Sequence, residues 1–191
     1  MKHYGITGII GSGKSTVAKV LEWLGGARYD SDAAAKYLME NSKELKNELI
    51  GIFGNSVFVE DKLNRDLIRK QIFKDDSLKT KIDMLVHPMV WKDYLTWREK
   101  QKTHFTIMES ALLLKNNRTE YFEAIIYVES DVNLCIERVI KRSDLPRIMI
   151  ENIIKNQIVE YQELNDCKLL HINNKGTKLV LPQCNLLYKI L

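Results

Sequence analysis

The chain has 191 residues, 45% of them hydrophobic, with 29 Lys and Arg against 25 Asp and Glu, for a formal net charge of +4. That is enough apolar material for one well-packed domain with a small insertion, and too little charge to imply a nucleic-acid partner, although it suits a site for polyphosphate anions. No apolar run reaches the ~18 residues that span a bilayer, no secretory leader is expected, and Cys135, Cys167 and Cys184 show no C-x-x-C spacing, so the expectation is a cytoplasmic protein with inert thiols and no membrane partner.

In chain order, residues 4–7, Tyr-Gly-Ile-Thr, read as a short buried strand. Residues 8–16 then fit the pattern G-x-x-x-x-G-K-[ST], with Gly8, Gly13, Lys14 and Ser15 in the constrained positions. Glycines let the backbone curl so that several N–H groups face one concavity, which suits an anion. The Lys14 ammonium is placed for β- and γ-phosphates and the Ser15 hydroxyl for Mg²⁺. A helix starting here aims its positive end at the same point. Gly11, Ser12, Gly13, Lys14, Ser15 and Thr16 are therefore the candidate residues for a nucleoside triphosphate. Val17, Val20, Leu21 and Leu24 follow at i, i+3, i+4, i+7, a one-sided apolar helix over residues 14–24 that Gly25-Gly26 ends. Strand, glycine loop and helix in that order are the context that separates a phosphate loop from an ordinary Gly-rich turn.

Arg28-Tyr29-Asp30 forms a short second strand, with Ser31-Asp32 directly after it. Residues 33–103 look mostly helical, with one piece over 77–86 that stops before His87-Pro88 and another over 89–102. Apolar strands are predicted at 105–109, 124–129 and 169–172. Asp131 caps a helix over 133–141, Pro146 breaks it, and a long helix over 148–164 and a terminal helix that includes residues 186–191 complete the pattern. Strands separated by helices indicate an α/β fold, here a P-loop NTPase-type parallel sheet flanked by helices. The stretch between the second and third strands is far longer than a crossover needs, so the domains are expected at 1–32 with 104–191 for the nucleotide-binding core and 33–103 for a helical insertion. A second substrate would sit against such an insertion. A guanine reader needs N-K-x-D, and Asn174-Lys175-Gly176-Thr177 lacks the aspartate, which disfavours a GTP switch.

With these residues in view, the chain resembles the dephospho-CoA kinase family nearly end to end. Ile6-Thr7-Gly8 through Thr16 looks like the family's opening loop, and Leu24-Gly25 with Asp30-Ser31-Asp32 like its L-G…D-x-D element. Lys62-Leu63-Asn64-Arg65 with Phe73 looks like G-x-L-x-R…F, and His87-Pro88 like its H-P pair. Leu112-Leu113 matches the centre of P-L-L-x-E, Arg138 and Arg142 followed by Gln157 match an R-x-x-x-R…Q lid at about 138–157, and Ile172-Asn173-Asn174-Lys175-Gly176 matches I-x-N-x-G. Ile9, Lys36, Lys62, Ala111 and Lys115 depart from the pattern. Lys115 reverses a charge, and Glu109, at the end of a predicted strand, offers an acidic group in its place.

The resemblance implies transfer of the γ-phosphoryl of ATP, with Mg²⁺, to the ribose 3′-hydroxyl of dephospho-CoA; another small-molecule or nucleotide P-loop kinase is the alternative. It implies catalytic roles for Asp32, Lys14 and Arg142, with Asp32 as general base or hydroxyl-orienting group. It further implies ATP contacts from Arg138, Asn174 and Gly176, acceptor contacts from Asp32, Arg65 and His87, and metal contacts from Ser15 and Asp30. Read from the residues alone, both aspartates fit helix caps equally well, Arg142 fits a solvated helix face, and His87 fits a helix-stop position. The oligomeric state stays open.

Overall fold

Short apolar runs, most deeply buried in the inner strands, assemble into a parallel sheet whose order is β2-β5-β1-β6-β7. Its strands are β1 (Lys2–Thr7), β2 (Ala27–Asp30), β5 (Phe105–Glu109), β6 (Ala124–Glu129) and β7 (Leu169–Asn173). All four ladders are parallel, so every carboxyl end lies along one edge. The registers Ile6↔Glu109, Asp30↔Glu109 and Glu129↔Asn173 fix what that edge carries. The computed structural model describes residues 1–114, 119–158 and 168–191. The described chain divides into two units, Met1–Asp30 with Gln101–Leu191, and Ser31–Lys100.

In the first unit, α1 (Lys14–Trp23) buries Val17, Ala18 and Leu21 as its apolar stripe dictates. These residues pack with Ile6, Ile107, Ile126 and Ile172 of the sheet and with Cys184 and Leu187 of α8 (Val180–Tyr188). Ile126 lies in a central strand with no exposed surface. Ile126→Ala is therefore expected to cost about 2–5 kcal/mol of stability, lowering the thermal midpoint by roughly 10 °C, which a thermal melt followed by circular dichroism checks. A second cluster joins Ile9 of the glycine loop to α6 (Val132–Ile140) and α7 (Arg147–Gln157) through Cys135, Ile136, Val139, Ile150 and Ile154. Asp131 accepts from the backbone N–H groups of Asn133 and Leu134, the cap expected for α6.

The second unit is helical. It comprises α2 (Ser31–Asn41), α3 (Lys43–Phe53), a hairpin of β3 (Phe58–Val59) and β4 (Lys62–Leu63), α4 (Arg65–Lys74) and α5 (Ser77–Glu99). Leu49, Phe53, Val57, Leu63 and Ile68 form its core. The hairpin turns at Glu60 and Asp61, both at positive φ. Asn64 accepts from the Leu67 N–H and so caps α4, which starts at Arg65.

Three expectations change. Pro88 does not end a helix: α5 runs through it, because Val86, Val90 and Tyr94 bury one continuous face on both sides of the proline, and that burial outweighs one lost backbone hydrogen bond. The helix predicted over 148–164 ends at Gln157, where Ile158 turns extended, and residues 159–164 lie outside the described residues. The terminal helix runs from Val180 and ends at Tyr188, short of residue 191, with Pro182 accommodated in its first turn, where no intrahelical N–H is required. Among the described residues, no helix is long and apolar enough to cross a membrane.

Candidate active site

The glycine loop leaves the carboxyl end of β1 in the centre of the sheet, the position at which open α/β sheets take ligands. Its backbone needs glycine at two close approaches. Gly11 sits at φ +82°, and a Cβ there would run into the Cys135 carbonyl of α6. Gly13 sits at φ +97°, and a Cβ there would run into the Asn174 carboxamide. Gly13 also caps α1 without a side chain, and the first turn of α1 holds no acidic residue. The positive end of that helix is thus not neutralised by its own first turn.

Lys14 is buried at 9% exposure, and its Nζ donates to the Ile9 carbonyl at 3.1 Å, closing the loop on itself. The Ser12 Oγ is buried and has no hydrogen-bond partner among the described residues. A buried hydroxyl without a partner inside a cradle of positive φ glycines fits an anion with acceptor oxygens. Thr16 donates its backbone N–H to the Gly13 carbonyl within the first turn of α1.

The carboxyl ends of the other strands bring the rest. Ser15 Oγ donates to Glu109 Oε1 at 2.6 Å. Glu109 ends β5 and is only 6% exposed. Its other oxygen, Oε2, accepts from both Nε and Nη2 of Arg28, at 2.9 and 2.6 Å. The same Nη2 donates to Asp30 Oδ2 at 2.8 Å. Asp30 was expected beside the metal; in this arrangement Glu109 meets Ser15, and Asp30 joins the cluster through Arg28. One hydroxyl and carboxylate oxygens are hard donors of the kind Mg²⁺ takes alongside phosphate and water, so these residues fit that ion.

On the far side of the loop, Arg138 near the end of α6 is a staple. Its Nη1 donates to the Gly11 carbonyl at 3.3 Å and to Ser130 Oγ at 3.1 Å, and its Nη2 donates to the Asn174 carbonyl at 3.1 Å. Asn174 Nδ2 in turn donates to the Ser12 carbonyl at 2.7 Å. Gln157, the last residue of α7, accepts the Ile10 N–H at 2.7 Å. Gly176 follows at φ +88°, with Leu134 nearby. Cys135 lies buried beside this cluster, where burial pushes its thiol up despite a Ser130 hydrogen bond and the charges of Arg138 and Lys14. Burial likewise pushes Cys184 up to about 11, in keeping with inert thiols, while Cys167 lies outside the described residues.

Gly11, Ser12, Gly13, Lys14, Ser15, Thr16, Arg138, Asn174 and Asp30 are thus gathered at one edge of the sheet. Arg142 lies past the end of α6 at Ile140, exposed in the turn beyond. Arg147 is paired along α7 with Glu151 at 2.8 Å. Lys115 lies outside the described residues.

Asp32, Arg65 and His87 belong to the helical unit. Asp32 is in the first turn of α2, two residues along the chain from Asp30. Arg65 lies 3.3 Å from Glu40 and lines a pocket of about 270 Å³ walled by Met39, Leu63, Ile68, Ile72 and Ile82. Asp83 lines the same pocket and lies 3.8 Å from His87. Because α5 is unbroken, His87 is a mid-helix residue and not the helix stop its proline neighbour suggested.

A family model described as dephospho-CoA kinase matches residues 3–178. The chain belongs to the dephospho-CoA kinase family. It is 30% identical to the dephospho-CoA kinase of Aggregatibacter actinomycetemcomitans, over 94% of this chain and 87% of that protein. It is 34% identical to that of Porphyromonas gingivalis, over 72% of this chain and 68% of that protein. The crystal structure of TT1252 from Thermus thermophilus superposes with a TM-score of 0.78 at 25% identity, covering 99% of this chain and 95% of that one. Dephospho-CoA kinase from Campylobacter jejuni shares the fold, with a TM-score of 0.67 at 18% identity over 99% and 96% of the two chains. Membership of this family makes the chain a kinase, a phosphotransferase on a P-loop fold.

Sequence reasoning left Arg28 unassigned and offered Glu109 only as a substitute acid. The signal for Arg28 was present: a charged residue inside a short strand between Ala27 and Tyr29 demands a buried partner.

Proposed function

We propose that this kinase transfers the γ-phosphoryl group of ATP to the ribose 3′-hydroxyl of dephospho-CoA, giving CoA and ADP, the last step of CoA biosynthesis. The family match across residues 3–178 carries this reading. The phosphate loop at the centre of the sheet supplies the chemistry it needs.

Phosphoryl transfer is mostly positioning and charge neutralisation. In this reading the backbone of Gly11, Ser12 and Gly13 cradles the phosphates, with Thr16 in the first turn behind them. Lys14 leaves the Ile9 carbonyl to neutralise the β- and γ-oxygens. Ser15, with Glu109 behind it and Asp30 at the edge of the cluster, would hold Mg²⁺. When bound, that ion would supply charge neutralisation to the phosphates. Arg138 adds positive charge beside the loop, Asn174 fixes its Ser12 edge, and Gly176 gives the turn room near the nucleotide. Arg142, exposed and without a position in the cluster, is proposed to reach the transferring group only with substrate bound.

Asp32 takes the proton of the acceptor 3′-hydroxyl as the oxygen–phosphorus bond forms and the bond to the ADP oxygen breaks. Residues 33–103 form the acceptor-binding insertion, where Arg65 and His87 serve the anionic acceptor. The protein is proposed to act in the cytoplasm.

ADP release from Mg·ATP in the presence of dephospho-CoA, adenosine, AMP or CMP tests this, with the product examined for a new 3′-phosphate. Turnover specific to dephospho-CoA is expected. Turnover with another acceptor alone overturns the acceptor assignment and leaves a different small-molecule P-loop kinase.

A further inference from the structure

Arg28 has no part in the roles above, and its place in β2 does not explain it, since Ala27 and Tyr29 on either side are buried apolar positions. Its side chain is 15% exposed. The guanidinium sets two donors, Nε and Nη2, on one oxygen of Glu109, at 2.9 and 2.6 Å. Glu109 Oε1 is left to accept from Ser15 Oγ at 2.6 Å. Nη2 also holds Asp30 Oδ2 at 2.8 Å, so one cation ties together the carboxylates that end β2 and β5. Burial alone would lower the Arg28 pKa, but the hydrogen bond and charge of Glu109, then the charge of Asp30, carry it above its ordinary value. The group stays a cation throughout the range in which the protein would work.

A planar fork closed on one carboxylate oxygen fixes the rotation of that carboxylate and presents its second oxygen in a single direction. Here that direction is the hydroxyl of the phosphate-loop serine. Lys in place of Arg would keep the charge as a point but could not reproduce the fork.

We infer that Arg28 is a positioning residue that aims Glu109 at Ser15 and so sets how strongly the nucleotide site couples to a divalent cation. Arg28 acts through Glu109 and Asp30, and the inference rests on the nucleotide site proposed above. The cation, Mg²⁺, is the hard ion for which Ser15 and the carboxylate oxygens are suited.

The test titrates ADP into the protein by calorimetry, once with Mg²⁺ and once with EDTA, and takes the ratio of the two affinities. Wild type, Arg28→Lys, Glu109→Gln and the double variant are compared, with thermal melts run alongside. Arg28→Lys is expected to lower the ratio about tenfold, in the range seen for residues that orient metal ligands, while ADP affinity in EDTA stays at the wild-type value. Glu109→Gln is expected to lower the ratio too, and adding Arg28→Lys to it should change nothing further. If Arg28→Lys does not fold, Arg28→Met with Glu109→Gln, which removes both charges together, takes its place and should match Glu109→Gln alone. An unchanged ratio in Arg28→Lys, an equal loss of ADP affinity in EDTA, or additive effects in either double variant would overturn the role of Arg28. A wild type that binds ADP equally with and without Mg²⁺ would instead overturn the metal-site reading on which the inference rests.

Discussion

Lys14→Ala is expected to abolish phosphoryl transfer, lowering kcat/KM by about 10²–10³-fold or more. The reason is where the ammonium sits. Lys14 is the first residue of α1, 9% exposed, and its Nζ lies 3.1 Å from the Ile9 carbonyl within the loop itself. Gly11 and Gly13 on the same loop could not carry a substitute side chain, because a Cβ there would run into Cys135 or Asn174. Charge developing on the transferring group would then lose the one full cation that the loop itself carries, and the loop's backbone dipoles supply only partial charges. The fold should survive, since α1 is anchored by Val17, Ala18 and Leu21, all without exposed surface, and Ala is the best helix former. Steady-state kinetics with Mg·ATP, run beside a thermal melt, separate the two effects. Near-normal turnover in a folded variant would mean that the loop is not the phosphate site.

What could be read from sequence was what is local. The phosphate loop, the strand before it and the helix after it lie within a few turns of chain, and their spacing states their geometry directly. The same holds for the Asp131 cap of α6 and for the apolar runs that became the sheet. The Ser15–Glu109 contact is different in kind. Its partners are 94 residues apart, and only the parallel pairing of β1 with β5 brings the end of β5 beside the loop. No periodicity within either segment encodes that pairing. Arg28 lay between the two cases: a guanidinium in a buried strand signals a partner, but sequence alone does not say which carboxylate. The Pro88 expectation failed because local propensity was outvoted by the burial of Val86, Val90 and Tyr94 on either side of the proline.

The Asp32→Asn variant poses the sharper question about chemistry. It is expected to keep ATP affinity and to lose about 10²–10⁴-fold in kcat, the range for removing a positioned general base. Asn preserves the size and one acceptor oxygen of Asp but cannot take a proton, so the change falls on the acceptor hydroxyl and not on the nucleotide. Asp32 stands in the first turn of α2, where a carboxylate is favoured by the helix's positive end whatever else it does. A purely structural role would therefore show as a loss of stability with kcat largely intact, and a catalytic one as the reverse. The neighbouring carboxylates sharpen the comparison. Asp30 is engaged by Arg28, and Glu109 is engaged by both Arg28 and Ser15. Each of these two carboxylates already serves as a hydrogen-bond acceptor for a cation. Glu109→Gln should accordingly act through metal coupling, and Asp32→Asn through turnover at saturating Mg·ATP. If ATP affinity collapses in Asp32→Asn while the melting temperature holds, Asp32 belongs with the metal-binding oxygens, and the base must be sought elsewhere.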